Sequence, residues 1–196
     1  MATADLKLVA GLGNPGAGYQ ATRHNAGFWF AERLAAAFGG SFRMQSRFNG
    51  ELAEVQAGGQ KLLLLKPQTY MNKSGLSVQA VATFYKFTPE QILVAHDELD
   101  LPAGTARLKR AGGHGGHNGL RDLHRHLGAD YYRLRLGIGH PGTKDQVLDY
   151  VLGRPSKADE QAINDSLDDA LRALELALSK GWDAAMNQLH TRAAAP

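Results

Sequence analysis

Five polar residues stand where predicted strands end or predicted helices begin: Asn14, His24, Asn72, Asp97 and Asn118. In an α/β sheet, ligands bind in the crevice beyond the carboxyl ends of the strands, so these side chains could converge there. A histidine beside an aspartate can act as a general base, because the carboxylate fixes the tautomer and stabilises the imidazolium that forms. Asparagines supply neutral donors and acceptors suited to an amide or a carbonyl oxygen, although they also cap helices and turns.

Nucleophilic catalysis by the protein finds little support in the sequence. The chain has no cysteine, which excludes disulfides, a thiolate nucleophile and metal sites with cysteine ligands. No GxSxG serine elbow occurs either. A hydrolase built from these residues would therefore have to activate water.

A metal-dependent hydrolase stays open as an alternative. His114 and His117 are spaced as HxxH, and Asp97 or Asp100 could supply a carboxylate ligand. However, the two histidines fall in a glycine-rich loop, where this spacing does not place both imidazoles on one helical face.

The segment 11–16 matches the dinucleotide-binding pattern GxGxxG and follows a predicted strand. In that motif the third glycine opens a helix whose N-terminus holds the pyrophosphate. Here Pro15 and Gly18 prolong the loop, and the helical pattern resumes only near Asn25. The dinucleotide interpretation is therefore the weaker one.

Positive charge is concentrated in one part of the chain. The net charge is +3, but residues 107–135 hold seven Lys or Arg and two Asp, a local net charge of +5 that leaves −2 for the rest. Such a segment is typical of a site for a polyanion, although a solvated basic face would look the same.

Hydrophobic periodicity and turn residues predict alternating strands and helices. Strands are predicted over 6–12, 51–56, 61–65, 92–95, 106–109 and 131–138, and helices over 25–38, 74–87, 120–127, from 145 with a break at 153–155, and over 158–179. The Gly58-Gly59 pair predicts a hairpin. We therefore expect an α/β fold, a single domain over residues 1–196 with a mixed twisted sheet and helices on both faces, and a frayed tail at 191–196.

Hydrophobic residues make up 43% of the 196 residues, enough for a globular core. No apolar run approaches the roughly 20 residues of a membrane helix, and the N-terminus lacks the basic start of a signal peptide. We expect a cytoplasmic protein.

Five sequence blocks together resemble the bacterial peptidyl-tRNA hydrolase family. They are GLGNPGAGYQATRHNAG (11–27), KPQTYMNKSG (66–75), HDELDLPAG (96–104), GGHGGHNGLRDL (112–123) and YYRLRLGIGHPG (131–142). They occur in the family's order and with similar spacing, and the resemblance extends through VLDYVLGRPS (147–156). It is weakest at residues 36–60 and after residue 157.

The resemblance implies an esterase that needs no cofactor and no metal. Its substrate would be peptidyl-tRNA, cleaved at the ester that joins the peptide to the terminal ribose. By resemblance, His24 is the catalytic base, Asp97 keeps it basic, and Asn14 helps to distinguish N-blocked peptidyl esters from free aminoacyl esters. The family also implies a monomer that acts on neither membranes nor DNA.

The same resemblance implies two groups of binding residues. The cleft would be formed by Tyr19, Tyr70, Met71, Asn72 and Asn118. The 5′-phosphate of the tRNA would meet Lys109 and Arg135. A non-catalytic RNA-binding module that uses the same basic segment remains the alternative from another functional class.

Overall fold

One mixed sheet forms the centre of the computed structural model, which describes residues 2–193. Its seven strands have the order β2-β3-β4-β1-β5-β7-β6. They are β1 (Leu8–Gly11), β2 (Arg43–Gln45), β3 (Gly50–Ala57), β4 (Gln60–Pro67), β5 (Ile92–Glu98), β6 (Ala106–Arg110) and β7 (Tyr132–Gly137).

The predicted mixture of strand directions is confirmed. β1 pairs in parallel with β4 on one side and β5 on the other, and β5 pairs in parallel with β7. The predicted hairpin is the antiparallel pair β3–β4, with the turn at Gly58-Gly59, and β6 adds antiparallel to β7. The chain crosses from one side of β1 to the other between β4 and β5, which places a topological switch point at the carboxyl end of β1.

Six α-helices lie among the described residues. They are α1 (Ala26–Phe38), α2 (Ser74–Tyr85), α3 (Asn118–Leu127), α4 (Val147–Val151), α5 (Lys157–Lys180) and α6 (Trp182–Ala193). None of them is both long and apolar enough to cross a membrane.

Helices cover both faces of the sheet, as predicted. Along β1, Val9 belongs to a core shared with α1, α5 and α6, whereas Leu8 and Ala10 belong to a second core shared with α2 and α3. Because both faces are buried, β1 is an uninterrupted apolar run and does not alternate with polar residues.

Several predicted boundaries were wrong for local reasons. The first strand is shorter than 6–12 and begins at Leu8. The helix predicted over 74–87 ends at Tyr85, because Lys86 adopts a left-handed conformation with φ 60°. The sequence missed β2, a short edge strand whose residues are largely exposed and carry no hydrophobic pattern.

The tail predicted to be frayed covers residues 191–196. Residues 191–193 continue α6, and residues 194–196 lie outside the described part of the chain.

Two glycines allow α1 to approach the sheet closely. A Cβ on Gly11 would lie 2.1 Å from the carbonyl oxygen of Gly27, and a Cβ on Gly27 would lie 2.3 Å from the carbonyl oxygen of Ala95. A Cβ on Gly13 would likewise lie 2.7 Å from the ring of Phe28, so the first two glycines of the GxGxxG-like segment serve helix packing, whereas Gly16 has a positive φ of 107°. The close approach of Gly11 and Gly27 holds the start of α1 against the ends of β1 and β5.

We expect Gly27→Ala to lower the free energy of unfolding by at least about 1–3 kcal/mol, because the new methyl group overlaps backbone atoms that cannot move aside. Gly18→Ala is the control, since a Cβ there meets no atom within 4 Å. Thermal and urea unfolding of both variants measure the difference. Equal stability of the two variants would contradict the close approach of α1.

Candidate active site

A buried carboxylate, that of Asp97, is the centre of the site. Asp97 lies near the end of β5 and is 3% exposed. Its two oxygens meet two different imidazoles, with Oδ2 2.8 Å from Nδ1 of His24 and Oδ1 2.8 Å from Nε2 of His117. An ionised carboxylate can only accept hydrogen bonds, so both of these ring nitrogens carry protons.

His24 lines the cleft, and of its two ring nitrogens only Nδ1 bonds Asp97. It sits on a 3₁₀ turn (Arg23–Asn25) directly before α1. Since Nδ1 donates to Asp97, the neutral ring leaves Nε2 unprotonated and able to take a proton. Burial acts to lower the pKa of His24, but the negative charge of Asp97 and its hydrogen bond outweigh burial and raise this pKa above its ordinary value.

His117 holds the other oxygen of Asp97 and also begins α3. Its Nδ1 accepts hydrogen bonds from the backbone N–H groups of Gly119 and Leu120, at 3.1 and 3.3 Å. This cap fixes the tautomer, because an Nδ1 that accepts leaves the proton on Nε2, where it bonds Asp97. The HxxH spacing predicts His117 only as a candidate metal ligand; its capping role is not visible in the sequence, because the helix is predicted to begin at residue 120 and histidine is not among the preferred cap residues.

The two imidazoles explain the state of the carboxylate between them. Burial alone would raise the pKa of Asp97. The attraction of His24 and His117, together with the hydrogen bonds from both rings, instead holds this pKa well below its usual range. Asp97 is therefore ionised at neutral pH and keeps both rings oriented.

His96 is a third histidine at the site that the sequence analysis did not select. It is 2% exposed, and its Nδ1 donates to the carbonyl oxygen of Asp97 at 2.8 Å. Burial, and after it the neighbouring His117, lower the pKa of His96 to about 4. His96 is thus neutral at physiological pH and supports the backbone of Asp97.

The same three side chains could also be considered as metal ligands, since one ligand atom from each of His24, Asp97 and His117 lies within 4.8 Å of the others. A metal would have to displace the protons by which both rings bond Asp97. His117 cannot shift its proton to Nδ1 without losing the cap of α3. Among the described residues, His114, the other histidine of the HxxH pair, is not part of this group, and its Nδ1 accepts from the backbone N–H of Gly116. The donor set therefore fits a hydrogen-bonded triad better than a metal centre.

Asn14 is held from two sides. Its side-chain oxygen accepts the backbone N–H of Met71 at 2.8 Å, while Asn25 bonds both its backbone N–H and its carbonyl oxygen, at 2.9 and 3.0 Å. The hydrogen bonds of Asn14 to the described residues use its Oδ1 and its backbone, and none involves its amide NH₂. The roles of Asn25 and of the Met71 backbone were not visible in the sequence.

Four other residues predicted to bind the substrate lie outside the strands: Tyr19, Tyr70, Asn72 and Asn118. Tyr19 and Tyr70 meet edge to face with ring centroids 6.5 Å apart, and Tyr70 is 61% exposed. Asn72 is exposed on the 3₁₀ turn (Met71–Lys73) that precedes α2. Asn118 is exposed as the first residue of α3, where its Oδ1 accepts from Arg121 at 3.2 Å.

A cleft of about 580 Å³ opens over the triad. Five of the predicted site residues line it together: His24, Asp97, Lys109, Asn118 and Arg135. Asn14 lines a second cleft of about 460 Å³, which includes Asn25. Since His24 and Asn25 are consecutive, the two clefts share the turn that carries them.

Lys109 and Arg135 occupy the predicted neighbouring strands, β6 and β7. Lys109 is exposed, whereas the Nε of Arg135 donates to Glu98 at 2.8 Å. Burial would raise the pKa of Glu98, but this hydrogen bond holds it below the ordinary value.

The fold and the site thus define an α/β protein with a buried His–Asp pair at the carboxyl edge of a mixed sheet, beside a cleft lined by cations.

Comparisons with known proteins identify the family. A family model described as peptidyl-tRNA hydrolase matches residues 8–196. Relatives with that name from Halorhodospira halophila and Acidithiobacillus ferrooxidans are 53% and 56% identical over 185 residues, which cover 94% of this chain and 95% and 98% of the relatives. The crystal structure of peptidyl-tRNA hydrolase from Acinetobacter baumannii aligns with a TM-score of 0.93 at 46% identity and covers 96% of both chains.

The chain belongs to the peptidyl-tRNA hydrolase family. The resemblance seen in the sequence is therefore confirmed, and so is the α/β fold class. A purine nucleoside phosphorylase from Toxoplasma gondii, at 10% identity and a TM-score of 0.52, shares the fold alone.

We expect Asp97→Asn to lower the pKa of His24, because the charge that raises it is removed. A protonated His24 cannot accept a proton, so the wild-type activity should fall as pH drops through the raised pKa. In the variant this fall should occur at lower pH, and the maximal rate should also be smaller because the ring is less basic and less firmly oriented. NMR titration of His24 and the pH profile of kcat/KM measure both effects.

The control is Asp100→Asn, which removes the same charge from an exposed position on the same cleft wall. If both variants shifted the fall of kcat/KM at low pH by the same amount, the shift would reflect the general charge of the cleft. The direct bond between Asp97 and His24 would then not be its source.

Proposed function

We propose that this chain hydrolyses the ester bond between the peptide and the tRNA in peptidyl-tRNA, and thereby releases tRNA from abortive translation. The observation that carries the proposal is the 2.8 Å bond between Nδ1 of His24 and Asp97, which leaves Nε2 free in a cleft lined by cations. The resulting pair can activate water, and the cleft can hold an anionic RNA end.

In the proposed reaction Nε2 of His24 takes a proton from water while the water oxygen attacks the ester carbonyl. The imidazolium formed is stabilised by Asp97 across the other side of the ring. Collapse of the tetrahedral intermediate breaks the bond to the ribose oxygen, and His24 returns the proton to that oxygen. The products are a peptide with a free carboxylate and a tRNA with a free terminal hydroxyl.

Asn14 is proposed to act on the substrate through its amide NH₂. With Oδ1 engaged by Met71, this group is a donor and suits a carbonyl oxygen of the ester or of the peptide. A free aminoacyl ester would bring an ammonium, itself a donor, to a position where a peptidyl ester has an amide. The NH₂ of Asn14 cannot accept a hydrogen bond from that ammonium, which favours N-blocked substrates.

The remaining binding residues complete the proposed substrate site. Tyr19, Tyr70 and Met71 would pack against the peptide or the terminal base, and Asn72 and Asn118 would bond polar groups of the peptide. Lys109 and Arg135 would bind the 5′-phosphate of the acceptor stem. We further propose that the enzyme is a cofactor-independent, monomeric, single-domain protein of the cytoplasm, where its substrate arises, and that its nucleic acid partner is tRNA.

We expect His24→Ala to reduce kcat on peptidyl-tRNA by at least about 10²-fold with little change in KM, because general-base catalysis is lost while binding contacts remain. The matched control is His126→Ala, which removes a histidine that also lies beside an aspartate, 3.6 Å from Asp122, outside the cleft. Release of peptide from purified peptidyl-tRNA provides the measurement.

The outcome for the wild-type protein separates enzyme from RNA-binding module. Tight binding of peptidyl-tRNA without release of peptide would favour the module. Near-normal kcat in His24→Ala would remove His24 from the mechanism even if the protein is an esterase.

We expect joint neutralisation by Lys109→Gln and Arg135→Gln to raise KM for full-length peptidyl-tRNA and to reduce the salt dependence of binding, because fewer counterions are released. A phosphate contact made equally in ground and transition states affects mainly KM. A minimal substrate with only the terminal nucleotide and peptide should be hardly affected.

Lys7→Gln with Lys61→Gln is the control for net charge. These lysines flank the beginnings of β1 and β4, at the opposite edge of the sheet. Equal losses on both substrates in the Lys109 and Arg135 variant would refute the phosphate contact.

A further inference from the structure

The turn that carries His24 is tied to α4 through the residue before it. The guanidinium carbon of Arg23 lies 3.8 Å from the ring centroid of Tyr150, and Nη1 donates to the Tyr150 carbonyl oxygen at 2.8 Å. The backbone N–H of Arg23 also donates to the carbonyl oxygen of Gly153 at 3.0 Å, just beyond α4. Three contacts of different kinds therefore join one residue of the turn to one short segment.

Tyr150 is itself fixed at its far end. Its hydroxyl donates to the carbonyl oxygen of Ile138 at 2.6 Å, directly after β7. The ring under Arg23 is thus held between the end of the sheet and the catalytic turn, and its position does not depend on α4 alone.

Three other residues of α4 face the cleft. Val147, Leu148 and Val151 line the cleft that His24 and Asp97 also line, and Leu148 is 65% exposed. A helix of five residues has almost no stability of its own. Its position therefore depends on tertiary contacts such as those to Arg23 and the core contact of Val151.

Arg23 is held by a carbonyl and a ring. In residues 2–193 no carboxylate lies within 4.0 Å of its guanidinium, and its Nε is buried without a hydrogen-bond partner. The planar group can stack and donate in one geometry, which a lysine ammonium cannot reproduce. Such a contact fixes orientation more than it contributes charge.

We propose that Arg23 is a positioning residue that couples α4 to His24, so that the wall of the cleft sets the orientation of the base. The reaction needs the imidazole aligned with both Asp97 and the attacked ester, and a misplacement of about 1 Å can cost up to about 10²-fold in rate. Asp97 fixes the ring at Nδ1, and Arg23 fixes the backbone that carries the ring. A substrate that contacts α4 therefore contacts the helix that holds Arg23 and, through Arg23, the backbone of His24.

The test is a double-mutant cycle of Arg23→Met and Tyr150→Leu, with kcat and KM measured on peptidyl-tRNA. Each single variant should lose about tenfold in kcat with KM within about twofold, because alignment is lost while the binding groups remain. The double variant should lose clearly less than the product of the two single losses, because both changes remove the stacking of the guanidinium on the ring, whereas the bond to the backbone carbonyl of residue 150 is lost only with Arg23. Arg23→Lys should behave like Arg23→Met, although it keeps the positive charge.

Arg33→Met is the matched control. Arg33 also donates through Nη1 to a helix carbonyl, that of Asn164 in α5 at 3.0 Å, but it does not touch the catalytic turn. Melting temperatures of all variants show whether stability alone falls. An Arg33 variant with the same stability loss should keep wild-type kcat.

Three results would overturn the coupling: wild-type kcat in both single variants, multiplicative losses in the double variant, or an equal loss of kcat in Arg33→Met at equal stability. If Arg23→Met does not fold, Arg23→Lys and Tyr150→Leu form the same cycle. The inference rests on the proposed role of His24. If His24→Ala keeps its activity, that role is refuted. If His24→Ala is inactive while the Arg23 and Tyr150 variants keep wild-type kcat, only the coupling is refuted.

Discussion

The site depends on one buried carboxylate that is shared by the two helical layers of the protein. His24 reaches Asp97 from the start of α1, on one face of the sheet, and His117 reaches it from the start of α3, on the other. Removing one hydrogen-bond donor from a buried carboxylate costs about 1–3 kcal/mol or more. The two hydrogen bonds therefore contribute to stability and orient both imidazole rings at the same time.

Two features of the structure allow His24 and His117 to reach the same carboxylate. The paired glycines Gly11 and Gly27 let α1 approach β1 and β5 more closely than any side chain would allow. On the other face, the buried Arg133 donates to the carbonyls of Gly112 and Gly113 and so anchors the irregular loop that leads to His117. The guanidinium of Arg133, on β7, thereby helps to fix the position of this glycine-rich loop.

The sequence was informative wherever one strand, one helix or one motif determined the answer. The hairpin β3–β4, the mixed sheet and the link between His24 and Asp97 followed from local patterns and from family resemblance. What could not be predicted depends on contacts between distant segments. The bond from Met71 to Asn14 spans 57 residues, and the capping role of His117 needs the actual start of α3. Likewise, nothing in the exposed sequence of β2 distinguishes it from a loop.

The end of β5 also shows how neighbouring residues on one strand are given different tasks. Asp97 meets imidazoles, whereas Glu98, the next residue, meets the guanidinium of Arg135. If these two partners were exchanged, the positive charge of Arg135 would lie against the carboxylate that His24 needs, and the pKa of His24 would no longer be raised. Glu98 thus offsets the charge of Arg135 close to His24, while the exposed Lys109 lines the same cleft. The same strand end can therefore support a basic imidazole within a cationic cleft.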